Sequence, residues 1–519
     1  MNGHKGKTGL SPAIFLALGI FILTLAPVAA RARSAAPPLE ERVKEYKLDN
    51  GVRILVLRRS GSPTFAAYVR YLVGGVDEVT GQTGVAHILE HMRFKGSEKI
   101  GTSDWSKEKP LMEIVDDLGA RLDAERRKGK LADAAKVKEL REKLFKELDE
   151  ERKYVREDEI SEIYQRFGGS GFNAFTAKDT TTYVIKLPAN KFELWAWLES
   201  DRMRSPVLRE YYSERDVIME ERRRSVDSSP EGTLYERMLA TAFIAHPYGI
   251  PVIGWESDIS YMTLDYVRRF LRTYYSPNNM VVCVVGDLEP DYVYKTVKDY
   301  FGDIPTQVIP PRVATVEPPQ DGERRVEVEF DANPQLMIAF HKPAYPDRDS
   351  VVMDVLNSVL AEGRTSRLHK SLVLEKRLAV DIGGFDAPGE RYDHLYVLQA
   401  TPRQPHSARE VEEAVEAELE KMKESPVSKA ELGKVVNGME MDYLKRLQSN
   451  SGLAHYLSDY EILTGDWRNM TRYMDEVRKV TPEDVLGAAK KYLVKSNRTV
   501  ATLVPRAKAK AEAAPEGAK

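Results

Sequence analysis

Residues 84–96 read Gly84-Val-Ala-His87-Ile-Leu-Glu90-His91-Met-Arg-Phe-Lys-Gly96. On an α-helix, residues three and four apart share a face. His87, Glu90 and His91 then point one way, while Ile88 and Leu89 turn toward a core. Two neutral imidazoles one turn apart can hold a Zn²⁺ at about 2.0–2.1 Å per bond, leaving room for an acidic third ligand and a water. Glu90 stands beside that water rather than on the metal, where it can take up and pass on a proton. The spacing is the H-x-x-E-H pattern, H-E-x-x-H reversed. The bland alternative is a helix with two incidental histidines. With nine His in 519 residues, one such pattern arises by chance at a frequency on the order of 0.01. A closed structural zinc site would use more ligands, commonly cysteine, and this chain has one Cys.

Downstream, Glu214-Arg-Asp-Val-Ile-Met-Glu-Glu221 sits on a second, acidic helix. Glu214 and Glu221 are two turns apart on one face. Glu221 is the candidate third ligand, and Glu214 could orient it or a histidine from behind. Glu220 faces elsewhere. Taken alone, these glutamates would be a solvated helix face; the histidines upstream give them weight. Between the two helices, residues 105–160 are rich in Glu, Lys, Arg and Ala. There Leu131, Ala134, Val137, Leu140, Leu144 and Leu148 recur at steps of three and four. That is a long helix or helical hairpin with a narrow apolar stripe. Its charged face is read as solvated surface, with a docking arm or gate as the functional alternative. Gly168–Leu187 then reads as a glycine-marked loop followed by a strand.

Upstream, Val43–Arg59 gives two short strands around Asp49-Asn50-Gly51, and Phe65–Val73 gives a third. Strand, strand, then helix is an α+β opening. Residues 1–32 carry two lysines, an apolar run and a small-residue end, the signature of a cleaved signal peptide. The chain is therefore expected to be exported, periplasmic or secreted, with an uncleaved membrane anchor as the alternative. Net charge −3 and pI near 6.4 give no basic footprint for nucleic acid. Cys283, in Met280-Val-Val-Cys-Val-Val285, reads as a small residue of a buried strand, and no disulfide within the chain is possible.

A repeat runs through the chain. Met262-Thr-Leu-Asp-Tyr-Val…Tyr274…Asn279…Val282 matches Val480-Thr-Pro-Glu-Asp-Val…Tyr492…Asn497…Val500 without gaps. The offset is constant, so Thr263 falls on Thr481 and Asn279 on Asn497. Each copy is a Thr-capped helix leading into an apolar strand. The chain reads as a duplication. A metal-binding domain spans 40–305 with the helical insertion inside it. A Pro-rich linker at 306–320 leads to a second domain at 321–505 that lacks the H-x-x-E-H pattern. A compositionally biased tail at 506–519 is expected to be disordered.

Gly84–Gly96, Asn173-Ala-Phe-Thr with Thr182-Tyr183, Glu214–Glu221 and His246-Pro-Tyr-Gly-Ile-Pro-Val-Ile-Gly254 together resemble the M16 (pitrilysin/insulinase) zinc peptidases. The short form, similar to the subunits of mitochondrial processing peptidase, fits this length. The resemblance implies two homologous α+β domains, each a mainly antiparallel sheet covered by helices, closed like a clam-shell on a peptide. It implies one Zn²⁺ held by His87, His91 and Glu221, with Glu90 as the base and Glu214 behind the ligands. It places Asn173 and Ala174 on an edge strand along which an extended substrate pairs.

Two departures stand out. The stretch from His91 to Glu221 is longer than is usual in the family, and the 105–160 insertion accounts for the excess. Active members also carry an Arg-x6-Tyr pair after a Ser-Arg-Leu motif, present here as Ser366-Arg367-Leu368. Leu374 and Val380 stand at the places of that pair. The expectation is a zinc endopeptidase acting as a homodimer or with an M16-like partner subunit that supplies the Arg and Tyr. The rival readings are a non-catalytic scaffold and a peptide-binding subunit.

Overall fold

The structure, a computed structural model, describes residues 38–506. The leader expected at 1–32 and the tail beyond Arg506 lie outside the described residues. Among those described, no helix is long and apolar enough to cross a membrane.

The first half runs α1 (Leu39–Arg42), β1 (Val43–Lys47), β2 (Arg53–Arg58), β3 (Thr64–Tyr71), α2 (Val85–Met92), α3 (Trp105–Arg126), α4 (Ala134–Glu151) and α5 (Glu159–Arg166). It continues β4 (Ser170–Thr176), β5 (Thr181–Pro188), α6 (Phe192–Arg204), α7 (Tyr211–Arg222), α8 (Pro230–Ala242), α9 (Glu256–Tyr261), α10 (Leu264–Tyr274), β6 (Met280–Gly286) and α11 (Pro290–Phe301). Residues 305–320 form no regular element. The second half runs β7 (Arg324–Phe330), β8 (Gln335–Lys342), α12 (Arg348–Leu360), β9 (Ala379–Ala387) and β10 (His394–Pro402). After these come α13 (Ala408–Glu424), α14 (Lys429–Arg446), α15 (Asn450–Thr464), α16 (Asn469–Arg478), α17 (Pro482–Tyr492) and β11 (Arg498–Pro505).

The strands form two sheets, ordered β1-β2-β6-β3-β5-β4 and β7-β11-β8-β10-β9. Without β1 the two orders superpose strand for strand. In each sheet one pair is parallel (β2–β6 and β11–β7) and the rest are antiparallel. The repeat seen in the sequence accounts for this likeness. Its offset carries α10 onto α17 and β6 onto β11, and Thr263 and Thr481 each cap their helix through a side-chain oxygen. Every residue of β6 is buried, as its unbroken apolar run requires of a central strand covered on both faces. Cys283 lies in that strand, free and buried.

The two halves exchange helices. From the first half, α8 lays Leu234, Met238, Leu239 and Ala242 on Met337, Ala339, Leu395, Val397, Ala501 and Leu503 of the second sheet. From the second half, α15 lays Leu453, Ala454 and Leu457 on Leu55, Leu57, Ala66, Cys283 and Val285 of the first sheet. The offset of the repeat carries α8 onto α15, so the exchange is itself symmetric. Each Leu or Met buried this way contributes roughly 1.5–3 kcal/mol. Arg70 of β3 adds a polar weld, donating to Asp459 of α15 at 2.6 Å from a site only 2 % exposed.

The insertion is a helical hairpin, α3 against α4, and it differs from the sequence expectation in two ways. Leu140, Leu144 and Leu148 are buried, but Leu131 and Ala134 are exposed, because α4 begins only at Ala134 and Leu131 belongs to the turn before it. Its charges are not all solvated. Asp123 and Arg215 of α7 pair through two contacts of 2.8 and 3.1 Å, both side chains buried. Glu108 pairs with Arg209 at 2.6 Å, also fully buried, and Gly119 admits the Tyr212 ring against the α3 backbone. The hairpin is clamped onto the segment that carries α7.

Candidate metal centre

The first-half helix α2 buries Val85, Ala86, Ile88, Leu89 and Met92. His87, Glu90 and His91 are what remains on its open face, as the i, i+3, i+4 spacing requires. The helix starts at Gly84, whose φ of +92° and tight approach to Ile253 and Gly254 leave no room for a Cβ. Gly254 faces Thr83 and Gly84 equally closely, so the last glycine of the His246–Gly254 motif backs the start of this helix. Glu78 completes the cap: its two carboxylate oxygens accept from the backbone N–H of Gly84 and Ala86, each at 2.8 Å. Nothing in the spacing pointed to this residue, which lies six positions before Gly84.

Across from α2 lies α7. His87 Nε2 is 3.7 Å from Glu221 Oε1, and His91 Nε2 is 3.4 Å from Glu221 Oε2. Among the described residues, these three form the one group of His, Cys, Asp and Glu side chains able to hold a metal ion, with ligand atoms all within 4.8 Å of one another. Two atoms each about 2.05 Å from a tetrahedral centre are about 3.3 Å apart, so the spacing fits one Zn²⁺ with little movement. Two imidazoles and a carboxylate are also the donor set of an open zinc site.

Glu214, two turns back on α7, accepts a hydrogen bond from His91 Nδ1 at 2.9 Å. A carboxylate can only accept, so Nδ1 carries the hydrogen and the Nε2 lone pair is free for a metal. Lys95 approaches Glu214 at 2.8 Å and Glu210 at 3.3 Å. Burial alone would raise the Glu214 carboxyl; the hydrogen bonds from His91 and Lys95 overcome it and hold it at about 2. Burial and the neighbouring His91 charge lower His87 to about 4, which keeps it neutral. His91 is driven to about 9: burial pulls it down, but hydrogen bonds and charge from Glu214 and Glu221 prevail. Those two carboxylates call for a positive charge at this point, and a divalent ion answers the same demand.

Glu90 Oε2 accepts from Thr176 Oγ1 at 2.6 Å, and burial raises the Glu90 carboxyl above its usual range. Thr176 ends β4, the strand that carries Asn173 and Ala174. β4 is the outer strand of its sheet, paired only with β5 through Asn173–Val184, Ala174–Tyr183 and Thr176–Thr181. Its other edge is open beside the His/Glu cluster. All the site residues expected from the sequence therefore meet in one place. Glu220 stays outside it, half-buried and paired with Arg223 and Arg224. Leu374 and Val380 are exposed. Sequence reasoning missed Glu78, Lys95 and Thr176 as supports, although Lys95 and Thr176 fall inside the motifs it singled out.

Twin α/β halves, one bearing an H-x-x-E-H helix opposite an acidic helix, define a class of zinc peptidases. The description "Insulinase (Peptidase family M16)" matches residues 148–255, and "Peptidase M16 inactive domain" matches residues 261–439, together more than half of the chain. The chain belongs to the M16 peptidase family. It is 28 % identical over 509 residues to a protein of Helicobacter pylori named zinc protease PqqE, across 96 % of this chain and 99 % of that one. A crystal structure of a protease from Helicobacter pylori superposes with a TM-score of 0.75 at 27 % identity, over 89 % of this chain and 99 % of that one. That of the peptidase M16 inactive domain from Pseudomonas fluorescens gives 0.71 at 15 % identity, over 90 % and 98 %, a likeness of fold.

Proposed function

We propose that this chain is a zinc-dependent endopeptidase that cuts extended peptides or unfolded segments. His87, His91 and Glu221 would hold the ion, and Glu214, itself steadied by Lys95, would orient His91. A Zn²⁺ bound there supplies Lewis acidity and lowers the pKa of a bound water toward 7. The Glu90 carboxylate would take a proton from the attacking water and pass it to the leaving amine. The open edge of β4 gives an extended peptide backbone donors and acceptors to pair with, aligning the scissile bond next to Glu90. The observation that carries this reading is the convergence of three ligand atoms within 4.8 Å of one another, with Glu90 beside them but not among them.

Glu90→Gln tests it. The variant should retain zinc and lose cleavage of quenched fluorescent peptides, by at least roughly a hundredfold for a general base. An unchanged rate would refute the role of Glu90.

A second reading concerns assembly. Leu374 and Val380, exposed and apolar, stand where active relatives carry an Arg and a Tyr. This favours a partner subunit, or a second copy, that supplies those groups to the zinc-bearing half. Full family-like turnover by the purified chain alone would exclude it; silence followed by activity on mixing would support it. A non-catalytic scaffold is the rival, and zinc-dependent cleavage that is lost on Glu90→Gln in this chain eliminates it.

A further inference from the structure

Glu210, the residue before α7, holds a left-handed backbone conformation, φ +57° and ψ +24°. Glycine takes such a conformation freely and asparagine readily; a glutamate there is strained. A residue in this place ordinarily caps the helix, with extended backbone and a side-chain oxygen that accepts from the first turn. Glu210 makes no such bond. The repeat supplies a comparison from inside the molecule. Its offset carries Glu210 onto Ser428, which precedes α14 with φ −67° and ψ +148° and accepts from the Glu431 N–H at 3.1 Å. The second copy starts its helix in the ordinary way. The first gives up both the relaxed backbone and the cap.

The buried Glu210 carboxylate serves two cations instead. Oε2 accepts from Lys95 Nζ at 3.3 Å, and Oε1 accepts from Arg152 Nε at 3.2 Å. Lys95, just after α2, also meets Glu214 Oε2 at 2.8 Å. The other oxygen of Glu214 accepts from His91 Nδ1. With one oxygen on Lys95 and one on His91, the Glu214 carboxylate cannot rotate without losing a partner. Lysine is a point charge on a flexible stem, so one carboxylate does not fix its position. The second carboxylate, that of Glu210, does.

The inserted hairpin holds the strained residue from the other side. Arg152 closes α4 and donates also to Ser213 Oγ at 3.0 Å. The Glu151 carboxylate accepts from the Glu210 N–H at 3.4 Å. Strain of this kind persists only where the surroundings over-determine it, and it collects at functional sites.

We infer that Glu210 is a positioning residue of the metal centre. Its carboxylate fixes the Lys95 ammonium, Lys95 fixes the Glu214 carboxylate, and Glu214 fixes the His91 ring that faces the ion. The inference rests on the zinc reading proposed above and extends it by one link, to a residue that the hairpin holds.

The test sets Zn²⁺ affinity against the stability of the metal-free chain. Zinc binding to the dialysed full chain is measured by competition with a chromophoric chelator, and the melting temperature is read without metal. Glu210→Asn suits the left-handed backbone and can cap α7, but it is a methylene shorter and carries no charge for Lys95. Lys95 and Arg152 keep Glu214 and Asp149 as partners, so neither cation is stranded. The melting temperature should therefore hold or rise. Zinc affinity should fall about tenfold, the low end of what losing an outer partner of a metal ligand costs. Lys95→Met should lower affinity by at least as much. In the double variant the two losses should not multiply, since both break one chain of contacts. A merely structural role would move melting temperature and affinity down together in Glu210→Asn, and that result overturns the inference. So does an unchanged affinity in Glu210→Asn, or losses that multiply in the double variant. If the parent chain takes up no stoichiometric zinc, the metal reading itself fails, and the inference with it.

Discussion

The offset that carries Thr263 onto Thr481 also lays α7 on α14, and the two helices differ where it matters. Glu214 falls on Leu432 and Glu221 on Met439. In the first copy the helix faces two histidines; in the second it faces α12, which has none. The surroundings differ as well. α7 buries Tyr211, Tyr212, Arg215, Ile218 and Arg222, partly against the inserted hairpin. α14 buries only Leu432 and overhangs a cavity. One duplicated scaffold has been finished in two ways: a braced helix that fixes two carboxylates, and one with a single fully buried residue, Leu432, that leaves open space. A metal ligand must be held within about 0.5 Å, and it is the braced helix that carries one.

The most direct way to break the comparison is to make the first copy resemble the second. Glu221→Met places the second copy's residue opposite His87 and His91. Loss of a group that merely orients a ligand costs 10–100-fold in metal affinity, so loss of the ligand itself should cost at least about a hundredfold. Dialysed protein should retain no stoichiometric zinc, and peptide cleavage should fall to background. Glu221 is 44 % exposed, so the melting temperature of the metal-free protein should hardly move. Full zinc content in this variant would remove α7 from the site.

The brace comes next. Asp123→Asn leaves Arg215 buried without its counter-charge, and breaking a buried pair from one side costs about 3–5 kcal/mol. The denaturation midpoint should fall accordingly. If the hairpin positions α7 for the metal, zinc affinity should fall with it. Replacing both partners by apolar residues, Asp123→Leu with Arg215→Met, should restore most of the stability. An unchanged midpoint in Asp123→Asn would mean that the hairpin is an ornament on α7 rather than its support.

Much of this was legible in the sequence, for physical reasons that differ from residue to residue. His87, Glu90 and His91 lie within one helical turn, so spacing alone put them on one face. Glu221 could be nominated because a zinc site with two histidines lacks an acid, and Glu214 because two turns separate it from Glu221. The duplication showed wherever the two copies kept the same cap and strand, at Thr263 and Thr481. Glu78 was invisible because it caps α2 from a loop, through a contact that depends on the path of the chain and not on periodicity. The exchange of α8 and α15 was hidden for a related reason: an apolar helix face says that it is covered, not by which sheet. The hairpin's buried Asp123 and Glu108 looked like solvated charge because their partners, Arg215 and Arg209, lie 92 and 101 residues away.

The smallest effect concerns Thr176, and it sharpens what sets the first copy apart. The second copy has no H-x-x-E-H base to hold; the first holds its base through Thr176, whose hydroxyl donates at 2.6 Å. Thr176→Val keeps the shape and removes that donor. Glu90 is no ligand in the reading proposed here, so zinc content should not change. The loss should fall on kcat, because a carboxylate free to rotate is aligned less often with the water and the leaving nitrogen. A hydrogen bond to a charged group contributes about 1.5–3 kcal/mol. Part of that bond must be given up when Glu90 takes the proton, so a fall in kcat of roughly tenfold is expected. Thr176→Ser, which restores the hydroxyl, should recover the rate. If Val and Ser behave alike, the hydroxyl does not position the base, and the strand contributes only its backbone.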